Sequence, residues 1–217
     1  MPRHDYRLIV FDWDGTLMDS AAKIVRCFES AVIDVGVPSP GDAAIRHIIG
    51  LGLNEAIEAL LPDCDSATRV RVIDRYRDHF LHLDQTEMPL FPGVRAGLED
   101  LAERGYLLAV ATGKARRGLA RVLEDTGLGG LFVASRCADE SFSKPHPQML
   151  LDILDDTGTD ARAAVMIGDT IYDMEMARNA GVDSLAVSYG VHARDQLLAH
   201  SPRGCFESFV EVHEWLR

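Results

Sequence analysis

The sequence predicts an α/β fold: a doubly wound parallel sheet interrupted once by an inserted block of helices. Four runs, "RLIVF" (7–11), "YLLAVAT" (106–112), "AAVMIGD" (163–169) and "SLAVSY" (184–189), are nearly continuous in aliphatic residues. Strands covered on both faces need that pattern. Helical periodicity separates most of these runs, and alternation of strand with helix favours a parallel sheet. From about Ser20 to Thr86 the alternation stops and only helical patterns occur.

Taken in order, residues 1–19 form the first part of the core, with the first strand at 7–11. Residues 20–86 form a helical cap. Within it Ile24, Phe28, Val32 and Val35 make one apolar stripe behind a Ser20 N-cap, and Ile73, Tyr76, Phe80 and Leu83 make another. Two shorter helices are expected between them, joined near Gly50 and Gly52. The core resumes over 87–217, with Pro89, Pro92 and Gly93 marking the crossing. Core helices are expected over Val94–Arg104, Ala115–Asp125, His146–Asp156 and Tyr172–Ala180, with a weaker fifth strand at 131–135.

Composition narrows the function. With 47% hydrophobic and 26% charged residues, the 217-residue chain has the make-up of a globular protein with a sizeable core. No window approaches the roughly 20 apolar residues of a membrane span. The acidic, briefly apolar N-terminus does not read as a signal peptide, so a cytoplasmic setting is expected. Cys27, Cys64, Cys137 and Cys205 are scattered without a CxxC pair, which suits free thiols. A formal net charge of -12 argues against a nucleic-acid partner, and an anionic substrate would need local cations.

In open parallel sheets, ligands bind beyond the carboxyl ends of the strands. Those ends carry Asp12, with Asp14 close behind; Thr112, with Gly113 after it; and Asp169, followed by Asp173. Lys144 lies in "SFSKPHP" ahead of a helix. Acids gathered at one edge repel unless a cation holds them, and an oxygen-only set suits Mg²⁺. With that charge offset, one carboxylate can attack as a nucleophile while its neighbour serves as general acid. Thr112 and Lys144 would hold phosphoryl oxygens.

Four motifs in order, "VFDWDGTLMDS", "LAVATGK", "SKPHP" and "MIGDTIYDMEMARNAG", resemble those of the haloacid dehalogenase superfamily. The resemblance covers essentially the whole chain and is closest to the helical-capped phosphatases of the phosphoglycolate phosphatase type, whose core is Rossmann-like. It implies that Asp12 is the nucleophile forming an aspartyl-phosphate. Asp14 would protonate the leaving alcohol and then activate water, an aspartate that the dehalogenase members lack. Mg²⁺ would be held by Asp12, the main-chain carbonyl of Asp14 and Asp169, with Asp173 assisting through water or by positioning Lys144. Thr112 and the Gly113 amide would bind phosphate. Arg46, Gly50 and Asn54, in and beside the cap segment "HIIGLGLNE", become specificity candidates.

Other readings of these residues are weaker. A calcium loop over "DWDG" would need a Glu where Lys23 stands. A receiver domain would be shorter and have no inserted helices. His79 and His82 lack a third metal ligand in the sequence and read as a solvated helix face, as do Arg71 and Arg75 among Asp74 and Asp78. A phosphosugar mutase of the β-phosphoglucomutase type shares the resemblance, and a binding protein on the same fold would not need all four of Asp12, Asp14, Lys144 and Asp169. The expected partner is a small phosphorylated metabolite, because a closing lid leaves little room for a macromolecular substrate.

Overall fold

A computed structural model describes residues 5–217. Six parallel strands, β1 (Leu8–Phe11), β2 (Leu107–Thr112), β3 (Phe132–Cys137), β4 (Ala164–Gly168), β5 (Asp183–Val187) and β6 (Gly204–Phe206), form one sheet in the order β3-β2-β1-β4-β5-β6. The order reverses at β1, the switch point of a doubly wound sheet.

The aliphatic runs are explained by two cores, one on each face. Ile9 and Phe11 of β1 join Val110, Ile167 and Val187 on the face covered by α5 (Val94–Glu103), α6 (Arg116–Thr126) and α10 (Phe209–Leu216). Leu8 and Val10 join Ala109, Ala111 and Met166 on the face covered by α7 (Gln148–Thr157) and α8 (Ile171–Ala180). Successive side chains point to opposite faces of a strand, so a strand buried on both sides must be apolar throughout.

The inserted segment holds α1 (Ala21–Val35), α2 (Asp42–His47), α3 (Leu53–Leu60) and α4 (Ser66–Asp78), with α4 running into a π-helical turn at His79–Leu83. These pack about their own apolar cluster, which includes Val25, Phe28, Val32, Ile45, Ile57 and Val72. The apolar stripe expected from Ile73 to Leu83 is interrupted. Ile73 and Tyr76 pack on that cluster, but Leu83, at the end of the wider turn, is 55% exposed. The two crossings lie side by side: Asp19 N–H donates to Pro89 O (2.8 Å) and Phe91 N–H to Leu17 O (3.0 Å).

Observed boundaries differ from the expected ones by a residue or two, as helix and strand ends do. Three elements have no counterpart in the sequence reading: β6, α9 (Arg194–Leu198) and α10. No helix among the described residues is long and apolar enough to cross a membrane. The four cysteines are free thiols.

Candidate active site

The site is built where β1 and β4 end side by side. Asp12 follows Phe11 directly, and its N–H donates to Ile167 O at 2.9 Å, which extends the β1–β4 pairing by one bond. Asp169 follows Gly168. The chain after Asp12 turns at Gly15 with φ +82°, and a Cβ there would lie 2.2 Å from Asp169 Oδ2. Only glycine permits both that conformation and that approach. Thr16 Oγ1 then donates to Asp169 Oδ1 (2.8 Å) and Val191 N–H to its Oδ2 (2.9 Å).

Asp173, in the first turn of α8, serves two partners. Its Oδ2 accepts from the N–H and hydroxyl of Thr170 (3.1 and 2.6 Å), closing a capping box. Its Oδ1 lies 2.7 Å from Lys144 Nζ, which is also 2.8 Å from Asp12 Oδ1. Lys144 is fully buried between the two acids.

Three buried carboxylates, Asp12, Asp169 and Asp173, thus face one buried ammonium, with ligand oxygens within 4.8 Å of one another. Burial pushes Asp12 up to about 7, with Asp173 and Asp14 adding to the effect and Lys144 opposing it. Burial, with Asp12 and Asp173 beside it, holds Asp169 well above the usual carboxylate range. For Lys144, burial acts to lower the value, but Asp12 and Asp173 outweigh it and keep the ammonium charged. Asp12 Oδ2 accepts no hydrogen bond from the described residues. Excess buried negative charge with an unpartnered oxygen is a donor set that fits a hard divalent cation.

Asp14 stands apart from this group and lines the adjoining cavity. Both its oxygens lie 2.8 Å from Lys114 Nζ, and Oδ1 also accepts from the Ser20 hydroxyl. Ser20 was expected to cap α1, but its side chain makes no capping bond. The competing acceptor, the Asp14 carboxyl, holds it instead. Lys114 Nζ and Lys23 Nζ lie 5.0 and 5.3 Å from the centre of the Phe80 ring.

A cavity of about 440 Å³ opens between core and inserted helices, lined by Asp12, Asp14, Thr112, Gly113 and Lys114 on the core side and by Gly50 and Asn54 opposite. The segment between α2 and α3 sits hard against the core. A Cβ on Gly113 would come within 2.4 Å of Leu51 O and 2.6 Å of Gly50 O. Gly52 N–H donates to Ser143 Oγ (2.8 Å), while His47 O meets Tyr172 Oη (3.1 Å) and His192 Nε2 (2.9 Å). Ile171 N–H donates to His192 Nδ1 (3.0 Å), so the Nε2 of a neutral ring carries the proton given to His47. Burial lowers the tendency of His192 to ionise, consistent with that tautomer.

Arg46 is not brought to the cavity. It lies outside the lining and pairs with Asp42 one turn away at 2.8 Å, an i,i+4 match available on the surface of α2. His79 contacts Asp34 (2.9 Å), which also pairs with Arg75, and no metal cluster among the described residues includes either histidine. Thr16, Lys114, Ser143, Tyr172 and His192 escaped the sequence reading, and Ser20 entered it only as a helix cap. Only Lys114, adjacent to Thr112 and Gly113, carried a signal that could have found it.

A family model described as haloacid dehalogenase-like hydrolase matches residues 9–187. The Dickeya dadantii protein named "Probable phosphatase IndB" is 38% identical, covering 94% of this chain and 91% of its own length. A phosphoglycolate phosphatase of Agrobacterium fabrum is 32% identical, covering 84% of this chain and 81% of its own. A crystal structure from Haemophilus somnus, described as a predicted phosphoglycolate phosphatase, superimposes with a TM-score of 0.90 over 99% of this chain and 100% of that one. At 22% identity it speaks to the fold.

Proposed function

The chain belongs to the haloacid dehalogenase-like hydrolase family, and on that premise we propose that this phosphatase hydrolyses small phosphate monoesters with Mg²⁺, carrying the phosphoryl group on Asp12. The observation that carries the reading is the grouping of Asp12, Asp169, Asp173 and Lys144 at one strand edge, beside a cavity that also reaches Asp14 and Thr112.

A carboxylate oxygen of Asp12 attacks phosphorus as the bond from phosphorus to the leaving oxygen breaks. The proton on Asp14 passes to that oxygen, and the alcohol departs. Water then attacks the phosphorus of the aspartyl-phosphate and gives a proton to Asp14. The bond from phosphorus to Asp12 breaks, releasing inorganic phosphate and restoring both acids. Thr112, the Gly113 amide and Lys144 hold the phosphoryl oxygens and offset their charge. Asp173 positions Lys144 from α8. Asp12, Asp169 and the main-chain carbonyl of Asp14 would hold Mg²⁺, which supplies positive charge where the nucleophile and the phosphoryl oxygens crowd together.

Phosphate release from a panel of phosphoglycolate, sugar phosphates, nucleotides and pyrophosphate tests this directly. Release should require Mg²⁺ and fall at least about 10³-fold in Asp12→Asn, the scale expected when a nucleophile that works as part of a unit is lost. A mutase would release little phosphate without an activating sugar bisphosphate. Release that survives in Asp12→Asn would overturn the assignment of the nucleophile.

A further inference from the structure

Resting on the phosphatase reading above, we infer that the physiological substrate is a phosphate monoester whose leaving group carries a bulky apolar or aromatic part, rather than a short acid such as glycolate. The first ground is size. At about 440 Å³ the cavity falls in the range, roughly 300–1,000 Å³, of sites that enclose drug-sized ligands. A phosphoryl group with a two-carbon acid leaves most of that space to water.

The second ground is the wall. Away from Asp12, Asp14 and the phosphate-binding turn, the cavity is faced by Ile24, Phe28, Ile49, Tyr76, Phe80 and Leu81 from the inserted helices and their loops. The charged residues farther along, Glu55, Arg77, Arg117 and Asp139, are exposed and belong to the rim. Apolar surface lining a concave site favours apolar surface on the ligand.

The third ground is that no buried cation without a partner lines the cavity among the described residues; Arg77 and Arg117 stand at the exposed rim. Lys114 has a side chain only 7% exposed, and both Asp14 oxygens engage its ammonium. Lys23, the other ammonium near Phe80, donates to Asp84 O and does not line the cavity. A carboxylate on the leaving group would enter with no buried partner, and an unpaired buried charge is costly. Tyr76, whose phenol burial holds in its neutral form, supplies a polar handle on the same wall.

The experiment compares kcat/KM for 2-phenylethyl phosphate and 2-phosphoglycolate, two alkyl esters, in the wild type and in Ile24→Lys. Ile24 is partly exposed on α1, so a lysine there has a route to water. The wild type should favour 2-phenylethyl phosphate at least about tenfold, mainly through KM, since a pocket gains roughly 10- to 200-fold from a fitting apolar group. Ile24→Lys should narrow that preference at least about fivefold. Equal or better use of phosphoglycolate by the wild type overturns the inference. So does an unchanged ratio in a folded Ile24→Lys protein. If both esters are hydrolysed in an Asp12-dependent way and phosphoglycolate wins, only the substrate class falls; if neither releases phosphate, the phosphatase reading falls with it.

Discussion

At the scale of single residues, the site holds more negative charge than it can balance by itself. Asp169 is fully buried among like charges, and its two oxygens accept one bond each, from Thr16 and Val191. An asparagine fits the same space, its oxygen accepting from Val191 while its amide donates to the Thr16 hydroxyl. Asp169→Asn should therefore make the metal-free protein more stable by about 1 kcal/mol, roughly 2–4 °C in melting temperature for a chain of this size. The same change should remove the stabilisation that Mg²⁺ gives the wild type. Melting curves with Mg²⁺ and with EDTA check both halves, and a lower melting temperature for the metal-free variant would contradict the charge argument. Asp12, Asp14, Asp169 and Lys144 were legible in the sequence because each sits at or near a strand end or in a recognisable loop. Ser20, Thr16 and Ser143 were not, since a hydroxyl carries no sign of the partner that folding will bring to it.

At the scale of elements, the strands were legible by length. The strands β1, β2, β4 and β5 announced themselves as uninterrupted aliphatic runs, whereas β6 is three residues long and only partly buried. Such a strand has too few positions to show any period. Helix α10 packs closely on α5: a Cβ on Gly97 would lie 2.6 Å from the Phe209 ring, and His213 Nε2 meets Asp100 at 2.7 Å. Hydrogen bonds from Arg104 and His213 hold the Asp100 carboxyl down at about 2. A carboxylate depressed in the folded state adds stability above its unfolded value, near 4, and that contribution is lost as pH falls toward 2. The Asp100 side chain is about a third exposed (34%), so solvent screens the pair and the effect is small. Asp100→Asn should melt slightly lower than wild type at pH 6, with the gap closing below about pH 3. A gap that widens on acidification would refute the pairing.

At the scale of the whole molecule, the inserted helices meet the core at more than one place, through Phe80 and Leu81 beside Lys114 and Arg121 and, more tightly, through the short segment between α2 and α3. Leu51 O and Gly50 O rest on Gly113, while Ser143, Tyr172 and His192 bond to Gly52 and His47. Gly113→Ala places a methyl where those carbonyls stand, with no flexible side chain to give way. The segment must lift, and the cavity opens to water. We expect kcat/KM to fall at least about tenfold while the melting temperature changes by no more than a few degrees, because neither apolar core is touched. Steady-state kinetics beside a thermal melt would separate this from general destabilisation.

The paired crossings at Leu17–Asp19 and Pro89–Phe91 have a consequence of a different kind. Because the chain leaves and re-enters the sheet at neighbouring points, the whole insertion hangs from the core by two adjacent stretches of chain. On the proposed reading, the reacting groups at the strand ends and the apolar wall that would meet the leaving group lie on separate stretches of chain, joined only where the two crossings pass.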